Sequence, residues 1–182
     1  MSKMIIMGGD ISFAKSGFHI AEINNKGIKM IHSELYVTNK ESEPIERINE
    51  TIERLMYLHK KYKVDLIIKE GAIMGRSSTG LNVIKTHGAV EYFCFDNLIP
   101  IEDIHNATLK AFCRRYLIDN SFYTKEELKQ FDKKQIVAEF LKTYFDSDMP
   151  EIYTARRKLI DDKSDAIALS IYYHEKINKN RS

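Results

Sequence analysis

The chain has 182 residues, 43% of them hydrophobic and 30% charged, with a formal net charge of +2. That length suits one packed core rather than two, and no apolar run approaches the roughly 20 residues that a membrane-spanning helix needs. Two isolated cysteines, Cys94 and Cys113, without C-x-x-C spacing, argue against a disulfide framework and against a thiolate zinc site.

The opening "MSKMIIMGGD" lacks the pattern of a secretory signal, so a cytoplasmic protein is expected. Residues 4–9 read as a short apolar strand that runs into Asp10. The stretch "MGGDISFAKSG" comes within one residue of a phosphate-binding P-loop. The Lys-Ser of a P-loop must open a helix whose N–H groups face the phosphates, whereas Ser16 is followed by Gly17 and the alternating pattern "GFHIAEI". The nucleotide-binding reading therefore fails. "NNKG" supplies a hairpin turn and "IKMIHSEL" alternates again, giving a three-strand meander.

Residues 41–62 form an amphipathic helix, with Pro44 in the first turn and Ile45, Ile48, Ile52, Leu55 and Met56 on one face. "VDLIIKEG" is an almost wholly apolar strand ending on Glu70, as in a central parallel strand covered on both faces. A second helix spans 77–95, with Ser77 or Ser78 as its cap and Gly88 where close packing leaves no room for a side chain. "LIPIEDI" is a further strand. Residues 106–116, 125–130 and 132–144 read as helical, joined by the irregular "LIDNSFYT". The closing helix, 162–177, has small and apolar residues on most faces and must be largely buried. The sum is an α/β fold: a mixed five-stranded sheet flanked by helices on both faces, one domain over 1–182 with a basic helical insertion around 106–145.

Asp10 ends the first strand, Glu70 ends the fourth, and Asp162 and Asp165 lie in the first turn of the last helix. Neighbouring parallel strands present their carboxyl ends side by side, where such sheets bind ligands, and helix residues three apart face one way. Each carboxylate also has a local explanation: a strand end for Asp10 and Glu70, a cap for Asp162, the positive end of the helix dipole for Asp165. Their coincidence at one sheet edge favours a shared site. Carboxylates brought together repel unless divalent cations neutralise them, and hard oxygen donors suit magnesium or manganese. Between Asn106 and Ile160 there are 11 Lys and Arg against 8 Asp and Glu, a weak basic excess.

In these blocks the chain resembles RuvC-type Holliday junction resolvases of the ribonuclease H-like superfamily. The family's opening Asp-Pro-Gly-like turn that ends in Thr-Gly reads here as Asp10, Ile11, Ser12 and then Ser16, Gly17; the proline and first glycine are not kept. The second block is "DLIIKEGAIMGRSSTGLNVIKTHGA", and the third, an Asp-x-x-Asp-Ala helix opening, is "DDKSDAIALSIYY". Two lysines thought to meet DNA in the family match Lys110 and Lys133, with Lys134 able to take the second role. The stretch between them, around 117–131, is longer than in bacterial cellular members, which points to a phage-type relative acting in a bacterial host's cytoplasm.

The resemblance implies two Mg2+ ions per site, replaceable by Mn2+, held by Asp10, Glu70, Asp162 and Asp165. It also implies paired nicks that leave 5′-phosphate and 3′-hydroxyl ends on four-way or other branched DNA. It further implies a homodimer through the helix at 78–95. Lys110, Arg114, Arg115, Lys133, Lys134 and Arg76 would hold phosphates, and Ile73 or Met74 would wedge against an unstacked base. No membrane and no nucleotide cofactor are expected. A YqgF-like RNA-processing nuclease would share the fold, a junction-binding protein that does not cut would need a defective carboxylate set, and an actin-like ATPase would need a second domain.

Overall fold

The computed structural model describes residues 3–72 and 78–179. Strands β1 (Met4–Asp10), β2 (Lys15–Asn24) and β3 (Gly27–Val37) form an antiparallel meander. Helix α1 (Pro44–Tyr62) leads to β4 (Leu66–Glu70), helix α2 (Ser78–Asp96) to β5 (Ile101–Ile104), and helices α3 (Asn106–Asp119), α4 (Lys133–Phe145) and α5 (Asp161–Lys179) complete the chain. The strand order is β3-β2-β1-β4-β5, with β1, β4 and β5 parallel. The mixed five-stranded sheet expected from the sequence is thus present, as is the parallel pairing of β1 with β4.

Strand periodicity sorts the side chains onto two faces. Ile6, Ala21, Ile23 and Ile68 pack with α3, α4 and α5, while Ile5, Met7, Phe18, Ile20 and Ile67 pack under α1 and α2. Asp10 and Glu70 share the parity of Ile6 and Ile68, so both strands deliver their carboxylates to the α5 side. Lys69 falls on the other side.

Helix α5 crosses β1 and β2 at very close range. A Cβ on Gly17 would lie 1.9 Å from the Asp162 carbonyl oxygen, and one on Gly8 would lie 2.1 Å from that of Ala166. Only glycine admits this approach. The helix is buried from Ser164 through Ile171, as its composition requires.

Elements end where local chemistry ends them. Lys63 closes α1 in the left-handed region with its N–H bonded to the His59 carbonyl. The Asp132 carboxylate accepts from the Lys134 and Gln135 N–H groups, and the Gln135 side chain accepts from the Asp132 N–H, a reciprocal cap for α4.

Three local expectations need correction. The segment expected as helix over 125–130 is a 3₁₀ turn, Glu127–Gln130. The last helix begins at Asp161, where Ser164 N–H bonds to the Ile160 carbonyl, so Asp162 sits inside the first turn rather than capping it. Gly88 is exposed, and a Cβ there would meet nothing within 4 Å. As the sequence pattern predicts, Lys15 and Ser16 open a strand and no helix N-terminus follows them for a P-loop. Among the described residues no helix is long and apolar enough to cross a membrane.

Candidate active site

Register carries Asp10 and Glu70 together: Gly9 pairs with Lys69 across the parallel β1–β4 ladder, and each is followed by its carboxylate. The first turns of α5 add Asp165. One carboxylate oxygen from each of Asp10, Glu70 and Asp165 lies within 4.8 Å of the others. Asp162 is not in that trio, but it lines the adjoining cleft of about 240 Å³ with Asp10, Ser12, Glu70, Gly71 and His87.

Burial pushes the Asp10 carboxyl well above the usual range, reinforced by the charges of Asp165, Glu70 and Asp162. Burial likewise raises Glu70, Asp162 and Asp165. Left to themselves, these groups would hold protons to avoid one another. A hard divalent cation relieves that repulsion, and the all-oxygen donor set fits one.

Supporting side chains hold the cluster in place. Lys110, buried on α3, donates to Asp165 Oδ1, and Asn106 at the start of α3 donates to Glu70 Oε1. Asp161 pairs with Lys134; burial alone would raise its carboxyl, but that hydrogen bond and charge bring it below the usual range.

Behind Glu70, on the opposite face of the sheet, Lys69 is fully buried. Its ammonium lies 2.9 Å from Glu91, 2.7 Å from Asp103 and 3.2 Å from His87 Nδ1. His87 Nε2 lies 3.0 Å from the Ile11 carbonyl oxygen. Burial and the neighbouring ammonium lower the His87 pKa, so the ring is neutral, with Nδ1 accepting from Lys69 and Nε2–H donating to Ile11. The network ties α2 and β5 to the loop after Asp10. The sequence pattern marked neither Lys69 nor Asn106; the one available signal was a lysine inside an apolar strand.

The expected phosphate-binding residues are divided. Lys110 and Lys134 face carboxylates. Arg114 is half-buried with its guanidinium 3.5 Å from the Leu128 carbonyl. Arg115 lines a groove between α3 and α5 with Phe112, Tyr172 and Lys176, and Lys133 is exposed at the start of α4. Arg76, Ile73, Met74 and Ser77 lie outside the described residues, as does the Ser78 side chain.

The sequence matches no protein-family model. It is 25% identical over 178 residues to the crossover junction endodeoxyribonuclease RuvC of one Prochlorococcus marinus strain, spanning 97% of this chain and all of the relative. It is 32% identical over 88 residues to the RuvC of another strain; that match spans 48% of this chain and 57% of the relative, little more than half its length. Among solved structures, Thermus thermophilus RuvC in complex with a Holliday junction substrate superposes with a TM-score of 0.65 at 14% identity, covering 96% of each chain. The likeness expected from the carboxylate blocks is borne out in sequence and in fold.

Proposed function

We propose that this chain, RuvC-like in sequence and fold, is a divalent-metal-dependent endonuclease that resolves four-way DNA junctions and cuts related branched DNA in the cytoplasm. The observation that carries the reading is the meeting of Asp10, Glu70 and Asp165 within 4.8 Å at the carboxyl ends of β1 and β4. Asp10, Glu70 and Asp165, with Asp162 beside them, would hold two Mg2+ ions, for which Mn2+ can stand in. Such ions supply Lewis acidity, stabilising charge on the scissile phosphate and easing deprotonation of water.

The chain's own groups set the geometry. Asn106 fixes the Glu70 carboxylate, and Lys110 holds Asp165 and offsets part of the local negative charge. Lys133 and Arg115, exposed to solvent, meet the DNA backbone, with Arg114, Lys134 and Arg76 as further candidates. Water oxygen bonds to phosphorus, the P–O3′ bond breaks, and the products are a 5′-phosphate and a 3′-hydroxyl.

Resolution requires two symmetric nicks, which a twofold dimer supplies. Helix α2 supports that arrangement: Leu81, Tyr92 and Phe95 are 54%, 68% and 79% exposed and align along one face. Gly88 lies on the same stripe, and its open Cβ position leaves room for a second helix to approach.

The test is a labelled four-way junction incubated with the purified protein and Mg2+, with a chelator control and structured RNA as the competing substrate. Symmetric, chelator-sensitive nicks in the junction are expected. Cutting of RNA in preference to the junction would overturn the reading.

A further inference from the structure

We propose that the hairpin between Ile152 and Ile160, tipped by Arg156, Arg157 and Lys158, is a second DNA-backbone site, gripping the duplex that flanks the cut on the α5 side. The inference rests on the junction-nuclease reading and adds a contact element to it.

The segment is built rather than loose. Ile152 is fully buried in the core beneath α5, and Leu159 packs against that core. Tyr153 and Leu159 form a bridge, Ile160 N–H bonds to the Ile152 carbonyl at 2.8 Å, and Thr154 N–H bonds to the Lys158 carbonyl at 2.8 Å. The turn is closed by Arg157 N–H on the Thr154 carbonyl at 2.8 Å and by Lys158 N–H on Thr154 Oγ1 at 3.1 Å. Three consecutive cations therefore project from a fixed base, all exposed and with no ion pair among the described residues.

Two observations separate this from an ordinary solvated turn. First, Arg157 sits at φ 59°, in the left-handed region that glycine occupies without strain and other residues only at a cost. The chain keeps a long cation where the backbone favours glycine, a local conflict of the kind found at functional sites. Second, Lys110 and Lys134, the lysines nearest the cleft on α3 and α4, face carboxylates, so their charge is already partly spent. Lys163, between Asp162 and Asp165, is half-buried on α5 itself, and the hairpin carries the exposed run of cations that leads into that helix.

Reach is compatible. Lys158 and Asp162 are four positions apart, so their Cα atoms lie at most about 14 Å apart. With a rise of about 3.4 Å per base step, the tip falls within roughly four nucleotides of a phosphate held at the carboxylates.

The test measures junction binding by fluorescence anisotropy in chelator, where no cutting intervenes, over a series of salt concentrations. The parent is compared with the triple variant Arg156→Gln, Arg157→Gln, Lys158→Gln and with Arg157→Gly. The triple variant should bind at least ten-fold more weakly at low salt, with a salt slope reduced by about 0.9 for each phosphate that it no longer neutralises. Arg157→Gly should bind more weakly while its melting temperature stays equal to the parent's or rises, which separates the side chain's role from the fold's. Methylphosphonate linkages placed two to five nucleotides from the mapped cut should weaken the parent and leave the triple variant unaffected. An unchanged salt slope in the triple variant, or equal weakening of both proteins by methylphosphonate, would overturn the hairpin assignment alone. A parent that does not bind the junction in the same titration would overturn the junction reading and the assignment with it.

Discussion

Lys110 donates to Asp165 within the carboxylate cleft, so the lysine expected on a DNA-binding surface is instead a buried partner of a candidate metal ligand. Its ammonium offsets charge where Asp10, Glu70 and Asp165 converge, and its position is set by α3 rather than by solvent.

Replacing Lys110 by Ala should therefore act on cutting. Removing the partner leaves Asp165 buried and unpaired, a cost of about 1–3 kcal/mol that protonation of the carboxylate relieves in part. Cutting should fall by orders of magnitude while junction affinity and salt slope change little. Lys133→Ala, by contrast, should lower the slope by about one and weaken binding on every sequence. Side-by-side salt titrations and cleavage assays of the two variants decide the matter; equal reductions in slope would return Lys110 to the DNA surface.

The carboxylates also make stability depend on pH. Asp10, Glu70, Asp162 and Asp165 all have raised folded-state pKa values, burial first among the causes. Between the unfolded and folded values the native protein binds more protons, so stability falls as pH rises through that window, and the full penalty is present above it. Asp10→Asn removes one of the charges. In chelator at pH 8 its melting temperature should rise by a few degrees, roughly 2–4 °C per kcal/mol at this size, while cutting is lost. Divalent cation should raise the parent's melting temperature more than the variant's. A variant less stable than the parent at pH 8 would show that Asp10 is not under charge strain.

Gly17 offers a steric test of how α5 is seated. A Cβ at this position would lie 1.9 Å from the Asp162 carbonyl oxygen and 2.8 Å from the Lys163 nitrogen, both backbone atoms. Gly17→Ala should cost about 1–3 kcal/mol by overpacking and displace the turn that carries Asp162 and Asp165. Thermal melts and cleavage of the same preparation should show a larger drop in activity than the fraction unfolded explains.

The exposed stripe on α2 predicts the assembly. Tyr92→Asp combined with Phe95→Asp places like charges against each other in a symmetric contact, at positions that contribute little to the monomer's core. Sedimentation should show a dimer for the parent and a monomer of similar melting temperature for the variant. On a cruciform plasmid the variant should yield nicked circles rather than linear molecules. A parent that sediments as a monomer at micromolar concentration would remove α2 as the interface.

Asp10 and Glu70 were readable in the sequence because each ends an apolar run, and period-two alternation then fixes the face they occupy. Asp162 and Asp165 were readable from helical spacing. Residues whose roles depend on distant partners were not. Lys69 draws its burial from Glu91 and Asp103 on separate elements, Asn106 reaches back to Glu70, and Lys110 and Lys134 lose their apparent freedom to carboxylates on α5. The same holds for Gly88, whose glycine suggested tight packing within the chain while the structure leaves its surroundings open.

The seating of α5 against Gly8 and Gly17 also sets when during synthesis the protein becomes competent. Asp10 and Glu70 leave the ribosome before Asp162 and Asp165, and the helix carrying the later pair packs on β1 and β2. A nascent chain therefore holds half of these carboxylates and a sheet face without α5 until that helix has emerged. A chain cut short before α5 lacks Asp162 and Asp165 and leaves Gly8 and Gly17 without the helix that packs on them.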